Sequence, residues 1–239
     1  MRIAVTDTGR EDKQKLYLDW LQSFEPTATL VVVSHRISVK DLSGFDGLVL
    51  TGGEDVDPKF SMAEPIVLVG TTDARRDMFE FEILGKALTE KIPVLCICRG
   101  LQVANVHLGG TLIADLQHDG YAKHDVKGKE PFIRHAVSVR ENSMMHGITG
   151  VLGGEINSYH HQAVKNVAEN LMPSSFSRDG VVESLEWKEA DGKPYFLAVQ
   201  WHPERMKDAE NPFTTKIGAS FFDAVRKNSV QTYQIPHTQ

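Results

Sequence analysis

The segment Pro93-Val94-Leu95-Cys96-Ile97-Cys98-Arg99-Gly100-Leu101-Gln102 constrains the fold more than any other part of this chain. Its first five residues carry no charge and read as a strand buried on both faces, because only a strand covered on both sides can dispense with polar alternation. Arg99 to Val106 reads as a helix that begins at once. A buried strand passing straight into a helix belongs to a parallel sheet, whose strands are joined by helices crossing its faces.

The same alternation runs through the first half of the chain. Arg2 to Thr6 predicts a strand and Glu11 to Phe24 a helix, with Leu16, Trp20, Leu21 and Phe24 at helical spacing. Leu30 to Val33 and Gly47 to Leu50 predict short buried strands, the second running into a glycine turn at Thr51-Gly52-Gly53. Asp73 to Glu90 predicts a helix with Met78, Phe81, Ile83, Leu84 and Leu88 as its apolar face. Past Gly110 the pattern becomes β-like over Ile133 to Arg140, Val181 to Trp187 and Tyr195 to Trp201. A terminal helix is expected over Phe213 to Lys227, followed by a loosely ordered tail, 228–239. Asp119 to Glu130 is polar enough to predict a surface excursion. The expectation is one α/β domain over 1–239, with a mostly parallel central sheet, helices on both faces and a small additional β region.

Composition removes several function classes. Lys plus Arg number 26 against 32 Asp plus Glu, a net charge of −6, without the basic excess that a nucleic-acid groove requires. No apolar run approaches the roughly 20 residues of a membrane span. Asp7 interrupts the N-terminus where a signal peptide would be apolar, so a cytoplasmic protein is expected. The two cysteines, Cys96 and Cys98, are too close for an unstrained disulfide and are not spaced as a zinc or redox pair. Phosphate-binding glycine motifs are absent, and no cofactor is expected.

Cys98 stands at the junction of strand and helix, where the nucleophile of a strand-turn-helix elbow sits. Such an elbow needs small residues two before and two after it, and Cys96 and Gly100 satisfy that need. The helix amides and positive dipole end lie beside the sulfur, favouring thiolate. Taken alone, a cysteine at a strand end is more often simply a buried apolar residue. A second constellation supplies a base: Val199-Gln200-Trp201-His202-Pro203-Glu204 ends an apolar strand on a histidine with a carboxylate two residues on. In an extended segment these two face the same side, so Glu204 can orient the His202 imidazole. Acyl transfer also needs oxyanion donors, for which the amides at Gly52-Gly53 and of Arg99 are candidates.

These residues resemble the class I glutamine amidotransferase-type family, and within it the free-standing γ-glutamyl-γ-aminobutyrate hydrolase-like peptidases. The matching blocks run in order from Thr51-Gly52-Gly53-Glu54-Asp55-Val56-Asp57-Pro58, through Arg76-Asp77-x-x-Glu80, the Cys98 elbow and Asn105 to Leu112. They continue through Asn157-Ser158-Tyr159-His160-His161-Gln162 and Asp179-Gly180-Val181-Val182-Glu183 to His202-Pro203-Glu204. The resemblance implies a flavodoxin-like sandwich and a Cys98, His202, Glu204 triad forming a glutamyl thioester, with an oxyanion held by the Gly53 and Arg99 amides. It further implies that Gly52, Gln102, Ser158, Tyr159 and His160 help bind a small γ-glutamyl substrate. The chain departs from the family in having Cys96 where glycine is usual, and a shorter segment between Pro58 and Asp73. Arg76, Asp77 and Glu80 are expected to be structural.

His160-His161, and His118 and His124 with Asp119 and Asp125, are the metal-like patterns in the sequence. Adjacent histidines rarely converge on one ion and no Glu or Cys spacing completes a set, so no metal is expected. The chain has no room for an acceptor or ATP-using domain, which favours a hydrolase acting alone. A glutaminase subunit serving a separate synthase is the alternative, and a non-catalytic ligand-binding module a third. The identity of the leaving amine and the oligomeric state, including a homo-oligomer, stay open.

Overall fold

The computed structural model describes residues 1–36, 42–125 and 133–233. In chain order the first half holds β1 (Arg2–Thr6), α1 (Glu11–Phe24), β2 (Thr29–Val33), β3 (Gly47–Leu50), α2 (Pro58–Ser61), α3 (Ala74–Thr89), β4 (Val94–Ile97) and α4 (Arg99–His107). The second half holds β5 (Thr111–Ile113), β6 (Ile133–Val139), α5 (Met144–Thr149), β7 (Gly153–Ser158), β8 (Ala163–Asn166), β9 (Leu171–Ser177), β10 (Val182–Trp187), β11 (Phe196–Val199) and α6 (Pro212–Tyr233). No helix among the described residues is long and apolar enough to cross a membrane.

One nine-stranded sheet has the order β2-β1-β3-β4-β11-β10-β9-β6-β7. The first five of these run parallel, and β10, β9, β6 and β7 continue the sheet antiparallel. The α/β class and mostly parallel centre are as expected. The antiparallel strands extend the same sheet, because β10 pairs directly with β11. A distinct two-stranded piece, β5 with β8, stands apart.

The parallel strands are apolar on both faces because both faces are covered. Along β4, Val94 and Cys96 join the core under α3 and α4, which supply Ile83, Leu84, Leu101 and Ala104. Leu95 and Ile97 join the core under α1 and α6, with Tyr17, Leu21, Phe221 and Phe222. The period of two thus divides one strand between two cores. Each core sets the angle at which its helices meet the sheet.

Several boundaries differ from expectation. In α3 Met78 is exposed, whereas Arg76, Asp77 and Glu80 are buried, so the inward face begins with charges rather than apolar residues. The helix α6 continues through Tyr233, correcting the expected loose tail from Asn228; residues 234–239 lie outside those described. Of the expected surface excursion, 126–130 lie outside the described residues, and His124 is buried rather than on the surface.

Candidate active site

The C-terminal ends of β1, β3, β4 and β11 meet at one edge of the parallel sheet. In this topology the chain leaves β1 and β3 toward opposite faces, opening a crevice at the strand ends. Thr6 and Thr51, which end β1 and follow β3, are tied across it by their hydroxyls at 3.1 Å.

Cys98 lies between β4 and α4 with φ +54° and ψ −108°. A non-glycine residue at positive φ is strained by about 1–3 kcal/mol, and the surroundings must hold it there. Its amide donates to Val199 O at 2.7 Å, extending the β4–β11 pairing through the turn. Gly100 lets α4 close onto β3, since a Cβ there would stand 2.5 Å from Leu50 O. Cys96 faces Leu50 and Ala198 on the flanking strands and is fully buried, with burial pushing its thiol well above the usual range. It serves as a small core residue.

His202 follows β11 and is therefore beside Cys98, although 104 positions separate them in sequence (202 − 98). Its Nδ1 lies 2.7 Å from Glu204 Oε1 and 3.4 Å from Tyr17 Oη. Its Nε2 is buried without a nitrogen or oxygen partner among the described residues, and Cys98 acts on the ring through charge and a side-chain hydrogen bond. Burial alone would discharge the imidazole, but Glu204 and Cys98 outweigh it and raise its pKa to about 9. Burial opposes the Glu204 charge as well, yet His202 and Arg205 hold that carboxyl below its ordinary value. The contact does not come from an extended segment, as the i, i+2 spacing predicted. Pro203–Arg205 forms a 3-10 turn, which brings Glu204 back onto the ring.

Two further residues fix this pair. Asn157 Nδ2 donates to His202 O and Asn157 Oδ1 accepts from His202 N, both at 2.8 Å. Tyr17 Oη accepts from Gly52 N at 3.0 Å, so the Gly52 amide is spent on the protein itself. The Gly53 and Arg99 amides line the same cavity, and neither is engaged by another described residue. Behind the glycine turn, Arg76 donates to Gly52 O at 2.9 Å and to Glu80 at 2.8 Å. The Arg99 guanidinium pairs with Asp77 and Glu80. These buried pairs join the turn after β3 to the helix after Cys98, a bracing role.

Gly52, Gln102, Tyr159 and His160 line the cavity around Cys98 and His202. Ser158 does not line it: its hydroxyl is buried and donates to His124 O at 2.8 Å. Lys13, Tyr17, Glu54, Asp125 and Arg205 also border the cavity and were not anticipated. Lys13 and Tyr17 sit one turn apart on α1, where helical periodicity alone marks Tyr17 as core and Lys13 as surface.

Residues 5–204 match the peptidase C26 family. This chain is a member of that family. Among its relatives, a glutamine amidotransferase-like protein of Lactococcus lactis is 36% identical over 206 residues, 84% of each chain. A gamma-glutamyl-gamma-aminobutyrate hydrolase of Escherichia coli is 32% identical over 139 residues, 55% of this chain and 54% of the relative. The C26 fold also superimposes on the glutaminase domain of a Trypanosoma brucei CTPS solved with bound acivicin, with TM-score 0.63 and 18% identity over 95% of this chain and 94% of that one. Membership makes this C26 chain a cysteine hydrolase of the glutamine amidotransferase class.

Proposed function

We propose that the protein hydrolyses the γ-glutamyl amide bond of a small γ-glutamyl amine or peptide, through a glutamyl thioester on Cys98. The observation that carries this reading is the pairing of a strained Cys98 elbow with a buried His202. The ring's Nδ1 is held by Glu204, and its Nε2 is left to exchange a proton with the sulfur.

In the forward step the Cys98 thiolate attacks the γ-carbonyl carbon, and the carbonyl oxygen takes the negative charge. The Gly53 and Arg99 amides stand ready to donate to that oxyanion. Collapse of the tetrahedral intermediate breaks the C–N bond, with the His202 imidazolium giving its Nε2 proton to the departing amine. The neutral ring then takes a proton from water, whose oxygen attacks the thioester; glutamate leaves and Cys98 is regenerated. Glu204 orients the ring and stabilises its charged form without itself accepting the proton.

The cavity also suits the far end of a glutamyl group. Lys13 and Arg205 offer positive charge for an α-carboxylate, and Glu54 and Asp125 offer carboxylates for an α-ammonium. The partial likeness to the E. coli hydrolase supports a γ-glutamyl amine as the substrate. The likeness to a glutaminase domain favours a second reading, glutamine hydrolysis that supplies ammonia to a separate synthase.

Incubating the purified chain alone with a panel of γ-glutamyl amides and glutamine, and reading glutamate and released amine by mass spectrometry, separates the two. Unaided turnover of a γ-glutamyl amine, absent in Cys98→Ala, is expected. Ammonia release from glutamine only when a partner protein is added would establish the second reading instead.

A further inference from the structure

A second group of chemically active side chains adjoins the cavity, with His160 of the group also lining it. His124, His135 on β6, His160 after β7 and Glu183 on β10 come from four separate parts of the chain. Three imidazole nitrogens surround Glu183 Oε1: His135 Nε2 at 3.4 Å, and His124 Nδ1 and His160 Nε2 each at 3.7 Å. Ligand atoms of His124, His135 and Glu183 all lie within 4.8 Å of one another.

The other nitrogen of each ring decides what these three present. His124 Nε2 lies 3.2 Å from Asp179 Oδ2, His135 Nδ1 lies 3.1 Å from Ala136 O, and His160 Nδ1 lies 3.0 Å from Gln162 O. All three partners can only accept, so each ring carries its hydrogen on the anchored nitrogen and turns a lone pair toward Glu183. With Glu183 ionised, four acceptors therefore converge with no donor among them. Glu183 is fully buried, and both its oxygens, with His135 Nε2 and His160 Nε2, lack a hydrogen-bond partner among the described residues. The Ser158 hydroxyl, 3.3 Å from His124 Nδ1, already donates to His124 O. Unsatisfied buried acceptors of this kind are costly, and a cation at their centre removes the cost.

We propose that these residues form a zinc-class divalent metal site, with His124 Nδ1, His135 Nε2 and Glu183 Oε1 as ligands and His160 Nε2, 3.7 Å from the same carboxylate oxygen, beside them. Zinc bonds of about 2.0–2.1 Å imply tetrahedral edges of about 3.3–3.4 Å, close to the nitrogen-to-oxygen separations present here. Three imidazoles and one carboxylate suit Zn²⁺ better than the oxygen-seeking Mg²⁺ or Ca²⁺. The Asp179 contact to His124 is the outer carboxylate that such histidines commonly carry, fixing tautomer and ring orientation.

The ion would be buried away from Cys98, and His160 closing on it would fill the fourth position, so its role would be structural. It would pin β6, β10 and the segment carrying Tyr159 and His160 against one another, and so hold one wall of the catalytic cavity. The set differs from the histidine pairs weighed in the sequence. His118 is exposed, and His161 is occupied by Asp55 and Asp115.

The test is metal binding by the full chain. Protein stripped with dipicolinate is titrated with Zn²⁺ against a chromophoric chelator, and metal content is read by mass spectrometry. One ion per chain is expected, retained in Cys98→Ala and weakened at least about tenfold in His135→Asn and Glu183→Gln. X-ray absorption of the zinc-loaded wild-type protein should show nitrogen and oxygen neighbours at about 2.0–2.1 Å and no sulfur, a result that stands even where the variants fail to fold. Absence of stoichiometric binding, a sulfur neighbour, or unchanged affinity in both folded variants would overturn the assignment.

Discussion

At His202 two opposing effects act on one ring, and the charge of Glu204 decides between them. Burial disfavours the imidazolium, while Glu204 at 2.7 Å favours it, and the outcome is a pKa of about 9. Glu204→Gln keeps an oxygen for Nδ1 but removes the charge, so the ring should fall back toward its ordinary 6.5. The alkaline limb of kcat/KM, where the general acid is lost, should then move from near 9 to lower pH, with kcat at neutral pH reduced about 10–100-fold. A pH–rate profile on a chromogenic γ-glutamyl anilide measures both, and an unmoved limb would contradict the assignment. Because Cys98 and His202 act on the reacting atoms, Cys98→Ala and His202→Asn should each cost about a thousandfold or more. Circular dichroism distinguishes this from unfolding.

At the scale of elements, the sequence revealed strand-to-helix junctions well and long-range pairings poorly. β4 and α4 were legible because an uncharged strand, two small flanking residues and an immediate helix have few other uses. β7, β8 and β9 were not, since Gly153-Gly154, Asn166 and Pro173 hide their strand character and only their neighbours bury them. The site shows the same division: Cys98, His202 and Glu204 belong to compact motifs, whereas Tyr17 and the Asn157 clamp depend on contacts across 185 and 45 positions. The His124, His135, His160 and Glu183 group was missed for this reason, as no two of its members share a motif spacing. Junction packing can be tested by Gly100→Ala. The added methyl would stand 2.5 Å from a main-chain oxygen of β3 that has nowhere to move. A loss of about 1–3 kcal/mol is expected in denaturant unfolding, together with reduced alkylation of Cys98 as the elbow tilts. Tyr17→Phe leaves the Gly52 amide without its acceptor and should cost about 1–3 kcal/mol by the same measurement.

Across the whole molecule, the sheet converts distant sequence into adjacency. β4 and β11 pair in register with Ile97 opposite Val199, so the nucleophile and its histidine emerge side by side from neighbouring strands. The antiparallel half, fused through β10, carries Asn157 and the segment 158–162 to the same edge and clamps His202 from the far side. Since His202 is buried and clamped by Asn157 of the antiparallel half, its charge state should register in global stability. The folded ring keeps its proton up to about 9, against 6.5 for the free group, so this contribution is complete below 6.5 and is lost as pH rises from 6.5 through 9. The folded Glu204 carboxyl lies below 4.5, so its contribution is complete above 4.5 and is lost as pH falls through the depressed value. Between about 4.5 and 6.5 both are present. Urea midpoints measured from pH 4 to 10 in wild type and in His202→Asn should therefore differ most in that window and converge above about 9. A difference that persists unchanged to pH 10 would show that the imidazolium is not what His202 contributes to the fold.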